Sequence, residues 1–213
     1  MGAFQFAKSL IIVYISLFVF YGSWFICTGW YSKGMSRIKK LISPLSESDV
    51  RSLRAGDEVE ISGVIYTARD MAHKRLCQNI EAGRDLPFVL EGAVVYFLGP
   101  TPARPGKIIG AAGPTTSSRM DAFSPKLIAK GLRAMIGKGY RNDEVRIALK
   151  KYGAVHLSTI GGAGALLAKY IISAEIISYE DLGTEAVRKL QVVAFPAVVA
   201  YDAAGNSIYG DRR

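Results

Sequence analysis

At 213 residues and 23.1 kDa, half of them hydrophobic, the chain is long enough for one substantial core or one domain with an appendage. Its net charge of +9 suits anionic small molecules or an acidic protein partner. No interleaved aromatic and basic strands and no zinc-finger spacing point to nucleic acid, and the two distant cysteines, Cys27 and Cys77, form neither a disulfide framework nor a metal-ligand set.

From Ser9 to Ser32 there is no charged residue, and such a run of about 24 residues is enough to cross a bilayer as a helix. Lys33, Arg37, Lys39 and Lys40 follow it, which by the positive-inside tendency leaves the main domain in the cytoplasm. No small-x-small cleavage site follows the apolar run, which argues against a signal peptide. Two readings stay open: an apolar N-terminal helix that anchors the chain to the membrane, or a start codon assigned ahead of Met35. The expected division is residues 1–34 as the apolar segment and 35–213 as the folded domain.

Ser46 and Asp49 have capping-box spacing, so a short helix is expected over Ser46–Arg54, with Gly56 as its stop. "DEVEISGVIYTA" alternates as a half-buried strand does, and a helix from about Arg69 to Ala82 follows. "GAVVYFLG" reads as a buried strand and "KIIGAAG" as a second short one. Beyond lies the hydroxyl-rich loop "GPTTSSRMD", Gly113 to Asp121.

Ser124-Pro125 looks like a helix start, with Leu127, Ile128, Leu132, Met135 and Ile136 on one stripe and Gly137 and Gly139 at its end. A second helix is expected from Asn142 to Gly153. After it come strand "AVHLSTI", helix "GAGALLAKY", strand "AEIISY", helix "TEAVRKL" and strand "PAVVAYD", and then a turn and a last short strand. This alternation argues for an α/β domain with parallel pairing.

Arg69, Arg119 and Lys138 sit in or beside Gly-rich turns rather than on periodic faces. Loops after strands are where α/β folds present ligand groups, so together they suit an anion with more than one negative group. Each also reads as an ordinary solvated charge, and Lys138 as a partner of helix C-terminal carbonyls. Thr115, Thr116, Ser117 and Ser118 offer hydroxyls to carboxylate or phosphate oxygens, or simply cap their own turn. "GGAGALLAK" lacks both the phosphate-loop ending and the dinucleotide glycine spacing, so close packing at a helix start is expected. Of the two histidines, His156 falls in a buried strand and is expected in the core. His73, one helical turn after Arg69, is a candidate for orienting a ligand group.

"SLRAGDEVEISGVIYTARDMAHKRL", "LEGAVVYFLGPTPARPGKIIGAAGPTTSSRMDAFSPKLIAKGLRAMIGKG", "KKYGAVHLSTIGGAGALLAKYI" and "FPAVVAYDAAGNSIY" resemble the β subunit, or C-terminal domain, of class I iron-sulfur fumarate hydratase. The L-tartrate dehydratase β subunit is similar too. The resemblance runs from about Ile38 to Tyr209 and implies a swivelling β/β/α domain, a mixed sheet with flanking helices. It also implies a cysteine-bearing α subunit that holds a four-iron four-sulfur cluster, with α/β pairs joined into a higher oligomer.

The implied activity is a reversible dehydration of malate to fumarate, with tartrate as the alternative substrate. By the same resemblance Arg69, Arg119 and Lys138 match carboxylate-binding residues, Thr115 matches the candidate base, and Thr116 matches a substrate contact. A reading from a different class is a membrane-tethered dicarboxylate-binding module without a catalytic partner.

Overall fold

The computed structural model describes residues 38–210, so the apolar run Ser9–Ser32 and its expected helix lie outside the described residues. Within them no helix is long and apolar enough to cross a membrane.

Strand β1 (Lys39–Ser43), which the sequence reading did not assign, leads into helix α1 (Glu47–Ser52). The predicted capping box forms: Ser46 Oγ accepts from the Asp49 amide, and the Asp49 carboxylate accepts from the Ser46 amide. Strand β2 (Glu58–Thr67) and helix α2 (Asp70–Glu81) follow, close to their predicted bounds. The expected strand at 92–99 shortens to β3 (Val94–Tyr96), and "KIIGAAG" forms no strand but runs as irregular chain.

The expected helix over 124–136 divides into helix α3 (Ser124–Ala129) and strand β4 (Ala134–Gly137). Gly131 separates them at φ +104°, in the left-handed region, with Glu91 packed where a Cβ would point. Helix α4 (Asp143–Tyr152) starts at an Asn142 cap and stops at Gly153 in the left-handed conformation, as expected. Strand β5 (Val155–Ser158), helix α5 (Gly164–Leu167) and strand β6 (Ile171–Ser178) come next. "TEAVRKL" is not a helix: a 3-10 stretch over Glu180–Glu185 gives way to strand β7 (Val187–Tyr201), a run of 15 residues. The last short strand reduces to one bridge, Tyr201 to Ser207.

The seven strands make one mixed sheet ordered β1-β2-β3-β4-β5-β7-β6, with flanking helices. Strands β1 to β5 pair in parallel, and β7 pairs antiparallel with β5, β6 and β2. Because β2 also pairs with β7, the sheet returns on itself through β2, β3, β4, β5 and β7.

Alternation along the strands sends side chains to two separate cores. Ile61, Ile65, Tyr96, Ile136, Leu157 and Phe195 fill one. On the opposite face Val95, Phe97 and Met135 pack against Leu76 of α2, Leu127 of α3 and Leu149 of α4. Burying a side chain of this size stabilises by about 1.5–3 kcal/mol.

Candidate functional site

The parallel register aligns Thr67 with Tyr96, Tyr96 with Ile136, and Ile136 with Leu157. Two residues further along, at the carboxyl ends of these strands, come Arg69, Leu98, Lys138 and Thr159. Two of the three predicted cations therefore leave the same edge of the sheet, the place where open α/β sheets present ligand groups. Lys138 follows a strand and not a helix C-terminus, which removes the carbonyl-pairing reading.

Into this edge runs the hydroxyl-rich loop. The Thr115 amide donates to the Phe97 carbonyl at 2.8 Å, the Lys138 amide to the Thr115 carbonyl at 3.2 Å, and the Ser117 amide to the Lys138 carbonyl at 2.8 Å. Thr116 forms a parallel bridge with Lys138. The segment Thr115–Ser117 thus wedges between the ends of β3 and β4 like a short extra strand, and a 3-10 turn over Ser117–Met120 follows.

Thr115 is half-buried, Thr116 and Arg119 are exposed, and Ser117 is fully buried. Among the described residues, neither threonine hydroxyl takes part in a hydrogen bond, so neither caps its own turn. The aliphatic stem of Lys138 lies against Gly161.

Arg69 is the N-cap of α2, and Asp70 is its first residue. Asp70 gathers the two arginines: its Oδ1 accepts from Arg119 Nε at 2.8 Å, and its Oδ2 lies 3.7 Å from Arg69 Nε. Glu185, just before β7, reaches Arg69 Nη2 at 3.4 Å and accepts from the Met71 amide at 2.9 Å. Arg69 Nε and Asp70 Oδ2 are both buried without a hydrogen bond, so the arginine keeps donor capacity that its carboxylate neighbours leave unused. Gly99 makes room for this guanidinium, since a Cβ there would lie 2.5 Å from Arg69 Nη1.

His73 is fully buried beside Phe97, with its Nδ1 donating to the Arg69 carbonyl at 3.0 Å. Burial chiefly, with the Arg141 charge, pushes it down to about 4, against the opposing pull of the Arg69 carbonyl and Asp70. It is therefore a neutral ring that fixes the backbone of Arg69. Cys77 is also buried, with its thiol held above the usual range chiefly by burial. Among the described residues no cluster of three or more His, Cys, Asp or Glu fits a metal ion. His156 is in the core, as expected, but as a hydrogen-bonded one.

The carboxylates Asp70 and Glu185 were not among the residues singled out from sequence. Asp70 had a signal, an acidic residue directly after Arg69 at a helix start. Glu185 lies 115 positions away, inside a stretch expected to be helix, and offered none.

A family model described as fumarase C-terminus matches residues 30–212. The chain belongs to the Fumarase C-terminus family. It is 35% identical over 174 residues to Escherichia coli fumarate hydratase class I, aerobic, covering 81% of this chain and 31% of that protein. It is 37% identical over 172 residues to fumarate hydratase 1, mitochondrial, of Leishmania major, covering 80% and 30%. A Methanocaldococcus jannaschii protein whose name assigns it to L(+)-tartrate dehydratase subunit beta is 37% identical over 171 residues, covering 78% of this chain and 88% of that one. The chain thus spans about a third of the length of the fumarate hydratases it matches. Fumarase C-terminus membership agrees with the resemblance read from the motifs, and the matched span takes in Arg69, Thr115, Thr116, Arg119 and Lys138.

Proposed function

We propose that this chain is the β subunit of a hydro-lyase that interconverts malate and fumarate together with an α subunit. The observation that carries the reading is the convergence of Arg69, Lys138 and the Thr115–Thr116 segment on one carboxyl edge of the parallel strands, with Arg119 tied to Arg69 through Asp70.

Malate carries two carboxylates, which Arg69, Arg119 and Lys138 bind as charge-assisted partners. Thr115 takes a proton from the carbon next to one carboxylate. The electron pair of that C–H bond becomes the double bond, and hydroxide leaves the adjacent carbon. Charge that develops on the carboxylate during proton loss is stabilised by cations already in place, which costs no reorganisation at that moment.

A threonine hydroxyl is a weak base in water, so this role requires the surrounding positive charge to stabilise its ionised form, or a relay to another group. Thr116 contacts the substrate beside it. Asp70 keeps Arg119 within reach of the site and is not itself a substrate contact.

In this reading the iron-sulfur cluster that the resemblance implies belongs to the α subunit, supported by the lack of any group of three His, Cys, Asp or Glu placed to hold a metal among the described residues. The swivelling of the domain and the higher oligomer of α/β pairs are parts of the same reading. Dehydration of L-tartrate is the second reading, favoured by the match to nearly the whole of a separate tartrate dehydratase β subunit.

Co-expression with a cysteine-bearing α candidate, followed by anaerobic assay on malate, fumarate and tartrates, tests the proposal. A stable pair that turns over malate and fumarate is expected. Failure to pair, with no turnover of any of them, sinks it, and turnover of tartrate alone selects the second reading.

A further inference from the structure

Arg141 lies three residues beyond Lys138 and is buried. Its guanidinium donates from Nε to Asp121 Oδ1 at 2.6 Å, from Nη2 to Ser124 Oγ at 2.6 Å, and from Nη1 to His156 Nδ1 at 3.3 Å. A guanidinium only donates, so this contact assigns the bare nitrogen of a neutral imidazole to Nδ1 and the ring proton to Nε2. Nε2 therefore donates to Ser117 Oγ, 3.1 Å away. The other Asp121 oxygen accepts from the Asn142 amide at 2.8 Å, and the Arg141 amide donates to Tyr201 Oη at 3.1 Å.

This set joins the two loops of the candidate site. One end holds Ser117, the residue after Thr116, and another holds Asp121, two residues after Arg119. The centre is Arg141, in the loop that begins with Lys138. Ser117 Oγ also occupies the space that a Cβ on Gly137 would need, 2.3 Å from that position, so the serine fits only because residue 137 is glycine.

The surrounding layer is apolar, with Phe97, Met120 and Met135 as neighbours in the same core. Apolar side chains of like volume would serve such a core as well as a buried ionic set does. What they would lack is direction: hydrogen bonds fix Ser117 relative to Lys138, and packing alone does not.

We propose that Ser117, His156 and Arg141 are positioning residues that set the Thr115–Thr116 hydroxyls against Lys138. What those hydroxyls do rests on the hydro-lyase reading above, whereas how they are held does not.

Amide hydrogen exchange by NMR on the full chain reads the holding directly, through the Thr115, Ser117 and Lys138 amides that tie the loop to β3 and β4. Ser117→Ala should speed exchange at all three by about tenfold, the loss of roughly one buried hydrogen bond, while Ile61 in β2 keeps its wild-type rate. His156→Gln retains a donor and an acceptor and should stay within about threefold of wild type, whereas His156→Leu should not. Wild-type exchange rates in Ser117→Ala, or equal effects of Gln and Leu at His156, overturn the proposal. Should His156→Leu fail to fold, Ser117→Ala decides alone.

In the assembled enzyme Ser117→Ala should lower kcat by about tenfold and leave KM nearly unchanged, because the cations stay in place. A rise in KM with kcat unchanged counts against positioning of the hydroxyls. Absence of turnover in the wild-type pair would remove the hydro-lyase reading and leave the exchange result to decide the positioning.

Discussion

Two arginine–aspartate pairs flank the same loop and do opposite things. In the pair of Arg119 and Asp70 the side chains are 48% and 25% exposed, whereas in that of Arg141 and Asp121 they are 0% and 10% exposed. The first stands at the sheet edge among half-satisfied charges, where an incoming anion can take up unused donors. The second has its guanidinium engaged by Asp121, Ser124 and His156, and its role is to hold backbone. In the proposed reading the same chemical pair serves as a binding element or as a clamp according to how much water reaches it.

The largest expected effect lies at the open side. Thr115→Ala should lower turnover of the assembled enzyme by about 10² to 10⁴, the usual contribution of a general base, without changing the unfolding midpoint. A near-normal rate would remove the base assignment.

The clamp should respond in stability. Arg141→Met leaves Asp121 buried without its counter-charge and should cost about 3–5 kcal/mol in urea unfolding, whereas Arg119→Met should cost about 1 kcal/mol or less. Equal losses from the two variants would erase the distinction between the pairs.

Acid should weaken the buried side next. His73 is neutral in the fold, with its pKa lowered from 6.5 to about 4, so between those values the unfolded chain binds the extra proton. Its contribution is whole above pH 6.5 and is lost as pH falls through that window, by about 3 kcal/mol once pH 4 is reached. His156 is shifted in the same direction and adds to the slope. His73→Asn should flatten the unfolding free energy between pH 4 and 6.5, and an unchanged slope would mean that His73 is not buried neutral.

The smallest effect tests how Arg69 is seated. Gly99→Ala brings a Cβ to 2.5 Å from Arg69 Nη1, so the guanidinium must move, and KM for malate should rise on the order of tenfold. An unchanged KM would place Arg69 outside the substrate contacts.

Local signals in the sequence translated well where they were self-contained. The Ser46–Asp49 box, the Asn142 cap and the Gly153 stop each satisfy backbone groups within one turn, so spacing alone revealed them. The run from Leu127 to Ile136 misled because its apolar positions satisfy a helical stripe and a buried strand equally, and only Gly131 marks the change. "TEAVRKL" misled for a related reason: its Val187 and Leu190 fit a helical face but lie in strand β7, paired with β2 and β6, and are buried in the two different cores.

At the site, Arg69 was visible as a cation after a strand, and Lys138 as one in a Gly-rich turn, but at the end of an expected helix that the structure replaces with strand β4. The grouping of the arginines by Asp70, and the link from Ser117 to His156 across 39 positions, depend on tertiary contacts that leave no periodic trace.

The central claim, that the open pair belongs to a dicarboxylate site, is tested most directly with succinate. It carries both carboxylates but neither a hydroxyl to lose nor a double bond to hydrate. Calorimetric titration of the assembled enzyme should show binding that weakens by about 100-fold or more in Arg69→Ala/Arg119→Ala, since each arginine supplies charge-assisted hydrogen bonds. Equal succinate affinity in wild type and the double variant would contradict the account.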